Sequence, residues 1–204
     1  MAFIKKRSFK HWNFTYLVNR TILAFDEYKY QGYPWLVKDA NEFIENYLHD
    51  DSVCLEWGSG RSTIWFAQRV HHITSVEHNL EWYKKVQKLT KDFTNVSLYL
   101  RPLEPEEEYV NIANEFSKES LSFCLVDGRL RAQCVISIED KIKPGGLLVV
   151  DNIERYIPTP DSTPNQRSDY ADKLWETFHK DIVGGWKELM FSNGIWSTAI
   201  WVKP

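Results

Sequence analysis

The sequence predicts a doubly wound α/β protein whose sheet is mostly parallel and ends in an antiparallel hairpin. Short apolar runs alternate with segments of helical periodicity along most of the chain, a pattern typical of a parallel sheet covered by helices on both faces. The tail differs, because strand candidates at 186–191 and 197–202 are separated by only five residues that include Asn193-Gly194. So short a connection predicts a hairpin.

The order of the predicted elements supports this fold class. Apolar residues at helical spacing from Ala40 to Leu48 predict an amphipathic helix before the first strand. A second amphipathic helix follows Asn79, which is a suitable N-cap. The other helices are predicted at 62–70 and 131–143, and the parallel strands at 53–57, 73–77, 96–100, 121–126 and 147–150.

Length and composition indicate one domain over 1–204, with an N-terminal arm and helix over 1–50 and an α/β core over 51–204. The net charge of −3 provides no general basic field for nucleic acid. No apolar run reaches the roughly 18 residues that would span a bilayer. Because the N-terminus also lacks the pattern of a secretory signal, a cytoplasmic location is expected.

The N-terminal arm combines basic with aromatic side chains. Three interpretations are open: a solvated arm, a cap over the active site, or a surface that packs on a second copy in a homodimer. The residues concerned are Phe3, Lys5, Lys6, Arg7, Phe9, Lys10 and Trp12.

Polar residues follow the predicted strands at one edge of the sheet. In a doubly wound sheet, ligands bind beyond the carboxyl ends of the strands, so these residues are candidates for a site. They are Glu56, Gly58 and Gly60 after the first strand, Glu77 and His78 after the second, Asp127, Gly128 and Arg129 after the fourth, and Asp151 and Asn152 after the fifth.

The first of these loops has features of a ligand-binding turn. Gly58 and Gly60 lack a Cβ, so a ligand can approach the backbone closely, and the helix that opens at Ser62 presents free N–H groups. Glu77 then lies where a carboxylate can accept both hydroxyls of a ribose. The alternative makes both glycines turn residues and Glu77 a solvated strand end. The acidic residue at the end of the next strand favours the ligand-binding interpretation.

The loop differs from the usual dinucleotide pattern of three glycines. Thr63 stands where the third glycine is expected. Glu56 precedes the first glycine, where its charge would repel a pyrophosphate and suit a cationic group such as the amino group of methionine. A nucleotide-dependent oxidoreductase is therefore the less favoured of the enzyme classes.

Leu55-Glu56-Trp57-Gly58-Ser59-Gly60 and Ser75-Val76-Glu77-His78 resemble the first motifs of class I S-adenosylmethionine-dependent methyltransferases. The segments 125–128 and 143–152 resemble later motifs, so the likeness covers roughly 53–152 and the hairpin. It implies a Rossmann-like fold, with Glu56 on the methionine amino group and Glu77 on the ribose. The residues expected to bind the cofactor are Glu56, Gly58, Ser59, Gly60, Ser62, Thr63, Glu77, His78, Asp127 and Gly128.

A narrower resemblance concerns a metal. In the catechol and caffeoyl-CoA O-methyltransferases, an Asp and an Asp-Asn pair hold a divalent cation, and Asp127, Asp151 and Asn152 match these positions. The resemblance makes the same three residues the catalytic candidates, with Mg²⁺ as the implied ion. These families carry a lysine base a few residues after the first Asp, whereas this chain reads Asp127-Gly128-Arg129-Leu130-Arg131, and arginine cannot act as a base at neutral pH. Three alternatives stay open: an Asp takes the proton, the metal alone suffices, or there is no metal.

Three arginines near this edge, Arg129, Arg131 and Arg155, are candidates for binding an anionic acceptor. Salt bridges to nearby acidic residues are the alternative. The expected reaction is methyl transfer to a small hydroxylated acceptor, anionic or sugar-like, with O-methylation favoured. A binding module that kept the fold and lost the chemistry is the second hypothesis. The proline-containing segment 157–168 is a candidate lid.

Overall fold

The computed structural model describes residues 14–160 and 163–204. Its centre is a seven-stranded sheet of order β3-β2-β1-β4-β5-β7-β6, in which only the pairs β5–β7 and β7–β6 are antiparallel. The strands are β1 Val53–Trp57, β2 His72–Glu77, β3 Val96–Leu100, β4 Leu121–Val126, β5 Ile142–Asp151, β6 Lys187–Ser192 and β7 Ser197–Val202. The predicted fold class is confirmed.

The sheet reverses its strand order next to β1, which is flanked by β2 on one side and β4 on the other. Both pairs are parallel, with Trp57 in register with Val76 and with Val126. The loops that leave β1, β2 and β4 therefore meet at one edge of the sheet. This switch point is the usual ligand position in doubly wound sheets, and the polar residues singled out in the sequence lie there.

Helices cover both faces of the sheet. They are α1 Phe14–Lys29, α2 Lys38–Tyr47, α3 Arg61–Ala67, α4 Leu80–Leu89, α5 Glu106–Val110, α6 Arg131–Ile138 and α7 Lys173–Thr177, which continues as a π-helical turn over Phe178–Ile182. One core contains residues of α2 and α3, including Ile44 and Phe66, and the other contains residues of α6 and α7, including Val135 and Trp175. Because each core lies against one face, the strands between them are apolar on both sides, as in β4, which is buried throughout.

Helix α1 is absent from the sequence-based prediction, which begins its helices at Ala40. None of its residues is buried, and large apolar side chains such as Phe14 and Phe25 are exposed. Its less exposed positions, 16, 19, 23 and 26, recur at helical spacing and include polar residues. The apolar pattern is thus spread around the helix, so periodicity did not reveal it. The basic cluster at 5–10 lies outside the described residues.

Two predicted boundaries, the end of the helix after residue 131 and the start of β5, differ in the structure because of strand pairing. The predicted helix 131–143 ends at Ile138, and β5 begins at Ile142 instead of Leu147. The extension is held by the C-terminus, since the N–H of Gly145 donates to Lys203 O at 2.8 Å and the N–H of Lys203 donates to Gly146 O at 3.0 Å. Antiparallel pairing with a distant segment thus overrides the local Pro-Gly-Gly signal.

None of the described helices is long and apolar enough to span a bilayer.

Candidate functional site

The loop after β1 is packed against the loop after β4, backbone to backbone. Gly58 has φ +102°, and a Cβ added there would lie 3.0 Å from the carbonyl carbon of Asp127 and from the nitrogen of Gly128. The N–H of Gly58 donates to Val76 O and that of Asp127 to Trp57 O, both at 2.9 Å. Gly58 is therefore required by its conformation and by a protein contact, as the turn-residue alternative in the sequence analysis allowed.

Glu56 is fully buried (0% exposed) and organises the start of α3. Its Oε2 accepts a hydrogen bond from the Ser62 hydroxyl at 2.6 Å, and its Oε1 accepts from Ser75 at 2.8 Å and also from the Thr63 hydroxyl. The Thr63 hydroxyl in turn accepts the N–H of Gly60 at 2.9 Å. The carboxylate thus positions the glycine loop through three hydroxyls.

No described Lys, Arg or His forms an ion pair with Glu56. Burial raises the pKa of Glu56 to about 7, although the three hydroxyl donors oppose that shift. A cationic ligand group next to this carboxylate would relieve the cost of its charge.

Because the pKa of Glu56 is raised, its protonated form stabilises the fold. This stabilisation is complete below the ordinary pKa near 4.5 and is lost as the pH rises through about 7. Between those pH values we expect Glu56 to remove about 3 kcal/mol from the free energy of unfolding, and Glu56→Gln to lack this part of the pH dependence. Urea denaturation at pH 5 and pH 7.5 measures the change in the free energy of unfolding of both proteins. The exposed Glu108→Gln variant is the control, and equal pH dependence in wild type and Glu56→Gln would contradict the prediction.

Glu77 closes the same edge from the end of β2. Its Oε1 accepts the N–H groups of His78 and Asn79, both at 2.8 Å, and lies 3.0 Å from Nδ1 of His78. Its Oε2 accepts from the Ser59 hydroxyl at 3.1 Å. This bond ties the end of β2 to the glycine loop, and the side chain of Asn79 caps α4 as predicted, accepting the N–H of Trp82.

Arg131 joins the ends of β4 and β5. Its Nη2 donates to the Asp127 carboxylate at 2.8 Å and to the Asp127 carbonyl at 2.9 Å, and its Nε donates to Gly128 O at 3.1 Å. Its Nη1 donates to the carbonyl of Asp151. The side chain is only 10% exposed. The guanidinium is thus engaged by the protein itself, which leaves it little capacity to bind an acceptor, the role that the sequence suggested.

Asp127 and Asp151 are in different environments although both follow buried strands. The Asp127 side chain is 33% exposed, whereas Asp151 is 4% exposed and accepts from the Thr198 hydroxyl at 2.6 Å. Burial raises the pKa of both carboxyls, and repulsion from Asp127 raises that of Asp151 further, while Arg131 opposes the shift at Asp127. Asn152 adopts a left-handed conformation with φ +51° and is partly exposed.

The ends of β4 and β5 do not fit the cation that the narrower resemblance implies. The guanidinium of Arg131 already supplies positive charge against Asp127, and the Asp151 carboxyl is enclosed at 4% exposure and held by the Thr198 hydroxyl. The part of the chain that the structure describes holds no group of three or more His, Cys, Asp or Glu side chains that could bind a metal.

The other two arginines are placed differently from Arg131. Arg129 has an exposed side chain, and its backbone N–H donates to the Tyr109 hydroxyl at 3.2 Å. Arg155 is half exposed, with its Nε 3.6 Å from the carboxylate of the buried Glu154. Both remain available at the edge, and the field of Arg155 reaches Asp127.

Four residues of the site were not singled out in the sequence. Trp82 donates from Nε1 to Ser59 O at 2.7 Å, and Tyr109 packs against Gly128. Ser75 and Thr198 hold the carboxyls of Glu56 and Asp151. Thr198 lies in β7 in register with Asp151 of β5, so a predicted register for the hairpin would have found it.

Comparison with solved structures agrees with this architecture. A methyltransferase-like protein from Silicibacter pomeroyi is 18% identical to this chain with a TM-score of 0.58, and the match covers 84% of this chain and 88% of that protein's chain. A Streptococcus mutans protein crystallised with S-adenosylhomocysteine is 11% identical with a TM-score of 0.58, covering 82% and 97%. An rRNA methylase from Streptococcus thermophilus is 13% identical with a TM-score of 0.55, covering 81% and 94%.

These likenesses define the class of fold. It is the Rossmann-like fold of the class I S-adenosylmethionine-dependent methyltransferases, as the sequence motifs implied. No family model matches the chain, and the search of curated proteins found no match.

Proposed function

We propose that this protein is an S-adenosylmethionine-dependent methyltransferase that acts on a small hydroxylated acceptor. The observation that carries the proposal is a pair of carboxylates, Glu56 and Glu77, beside the glycine loop at the switch point of the sheet. No described Lys or Arg forms an ion pair with either one; the only such contact is that of His78 with Glu77. Two carboxylates without a Lys or Arg partner among the described residues suit a cationic ligand with ribose hydroxyls and oppose a pyrophosphate, which disfavours the oxidoreductase.

The residues present fit S-adenosylmethionine. Glu56 is proposed to hold the methionine amino group, either directly or through the hydroxyls bonded to it, and Glu77 the ribose. Gly60 leaves room over the loop, because a Cβ there would meet nothing closer than the Trp82 ring at 3.7 Å. The chemistry that this cofactor supplies when bound is a methyl group activated by a sulfonium sulfur.

The protein's own contribution to the transfer is to orient the acceptor and to remove its proton. Asp127 is the better proton acceptor of the two carboxyls, because its side chain reaches solvent while Asp151 is enclosed. A raised pKa brings Asp127 closer to the operating pH, which favours general base catalysis. Arg129, which is exposed, and Arg155, which is half exposed beside Glu154, are the arginines proposed to contact an anionic or sugar-like acceptor, while Asn152 lies at the same edge.

The first test is calorimetric titration of the full chain with S-adenosylhomocysteine, beside NAD. We expect micromolar binding of S-adenosylhomocysteine and none of NAD. We also expect the affinity to be the same with Mg²⁺ and with a chelator, because Arg131 already pairs with Asp127, one of the implied cation ligands.

Three outcomes would redirect the assignment. Absence of S-adenosylhomocysteine binding in all conditions would refute it, and tight NAD binding would revive the oxidoreductase. Binding without methyl transfer to any of a panel of hydroxylated acceptors, carboxylated and neutral, would favour the non-catalytic module.

A further inference from the structure

A cavity of about 630 Å³ lies between α1, the segment that joins α1 to α2, and the turn between β6 and β7. Its volume suits a small organic ligand. Arg61, the first residue of α3, lines it next to the glycine loop. On the other side, the N–H of Val37 donates to the Thr198 hydroxyl, which donates to Asp151. The cavity therefore borders the carboxyl edge without being part of the cofactor loop.

Acidic side chains outnumber basic ones in the lining. Lys38 pairs with Glu42 at 3.6 Å, and Glu45 is paired with Arg69 at 3.0 Å, so these charges are balanced. The three remaining carboxylates, which belong to Asp26, Glu27 and Asp39, form no ion pair with any described residue.

The second basic residue of the lining is Arg61. The guanidinium of Arg61 lies 4.8 Å from the centre of the Trp35 ring. Lys38 also interacts with Asp26 and Asp39 through space. Asp26 lies on the less exposed stripe of α1, so its charge is directed toward the body of the protein. The lining is thus net negative.

Two buried polar atoms of the lining have no partner. Asn41 is 5% exposed; its Nδ2 donates to Pro34 O at 3.0 Å, but its Oδ1 accepts no hydrogen bond in the described structure. The indole N–H of Trp196 is likewise buried without an acceptor. An unpartnered buried polar atom is costly, but both atoms lie behind the surface of the cavity, so the carboxylates are the polar groups that a ligand reaches first.

Aromatic rings complete the cavity. Four of them contribute to the lining: Tyr30, Tyr33, Trp35 and Trp196. The large apolar side chain of Trp35 is mostly exposed to solvent. Lys38 lies 5.6 Å from the centre of the Tyr30 ring and Arg69 lies 5.9 Å from that of Tyr33, so these rings, like Trp35, already face a protein cation. The aromatic lining therefore suits the ring of a ligand, and the carboxylates suit its ammonium.

We propose that this cavity binds a small aromatic amine in its cationic form. The unpaired carboxylates of Asp26, Glu27 and Asp39 receive the ammonium, and the aromatic lining contacts the ring of the ligand. This proposal goes beyond the methyl transfer proposed above and does not depend on it. It also assigns to this cavity a charge preference opposite to that of Arg129 and Arg155.

The experiment is calorimetry of the full chain with three probes of equal shape. They are 4-(aminomethyl)benzamide, 4-(hydroxymethyl)benzamide and 4-carbamoylbenzoate, which carry a cationic, a neutral and an anionic group opposite the same amide. We expect the amine to bind at least about tenfold more tightly than either of the others, the ratio that one charge-assisted hydrogen bond confers. Equal affinities, or no binding of the amine at millimolar concentration, would overturn the proposal.

Variants locate the binding. Asp26→Asn should weaken amine binding about tenfold, since α1 buries no side chain and the fold is preserved. The control is Asp181→Asn, because Asp181 is exposed on the π-helical turn that packs on the opposite face of the sheet. Unchanged affinity in Asp26→Asn with an unchanged melting temperature would refute the assignment. Titration of each variant with S-adenosylhomocysteine separates failure of this site from failure of the cofactor site.

Discussion

Replacing Arg131 with Met should lower the free energy of unfolding by about 2–4 kcal/mol, since it leaves the Asp127 carboxylate and three backbone carbonyls without their donor. Asp127 is one-third exposed, so solvent recovers part of the lost interaction there. The carbonyls that lose a donor belong to Asp127, Gly128 and Asp151. Chemical denaturation of the purified variant measures the change.

The matched control is Lys84→Met, which removes a cation from the exposed ion pair with Glu81 and should cost no more than about 1 kcal/mol. Arg131→Lys distinguishes charge from geometry. Lysine keeps the charge but cannot make the four bonds of the planar guanidinium, so it should recover only a minor part of the loss. A stability of Arg131→Met within error of wild type would show that the two strand ends are held by other contacts.

Replacing Glu77 with Ala should weaken S-adenosylhomocysteine binding about 100-fold. Two effects combine. The proposed acceptor of the ribose hydroxyls is lost, and the loop loses the bonds from Ser59, His78 and Asn79 that the carboxylate accepts. Calorimetric titration gives the ratio of dissociation constants, and the assignment fails if the affinity is unchanged.

Ser59→Ala separates the two effects, because it breaks the bond between the loop and Glu77 at 3.1 Å but leaves the carboxylate in place. If Glu77 contacts the ribose, Ser59→Ala should weaken binding by less than about tenfold. Equal losses in the two variants would mean that Glu77 acts only by positioning the loop. Glu81→Gln, an exposed change on the next helix, controls for the charge.

Much of the fold follows from local sequence pattern. Strands at 96–100 and 121–126 have the predicted bounds, the second because a strand buried on both faces is continuously apolar. The cap at Asn79 is equally local, since its side chain and the N–H it receives are three residues apart. Patterns that depend on neighbours in the chain were sufficient for these elements.

Helix α1 lacked such a pattern. It buries no side chain, so nothing in its composition marks an inner face, and the cavity that it covers could not be predicted. The cavity also needs the turn of the hairpin, more than 160 residues away in the chain. Packing of distant segments is set by the whole core and leaves little trace in local periodicity.

The sequence by itself determined the doubly wound sheet and the edge at which Glu56, Glu77, Asp127 and Asp151 gather, because the carboxyl ends of parallel strands must lie together. Only the tertiary structure decided what those residues contact. It directed Arg131 inward, where a cation had been expected, and it placed Thr198 of the antiparallel strand on Asp151. The physical reason is that the type of each element follows from local hydrophobic pattern, and the fold class from the alternation of strands and helices. Hydrogen-bond partners and burial depend instead on register and on side-chain packing across the sheet.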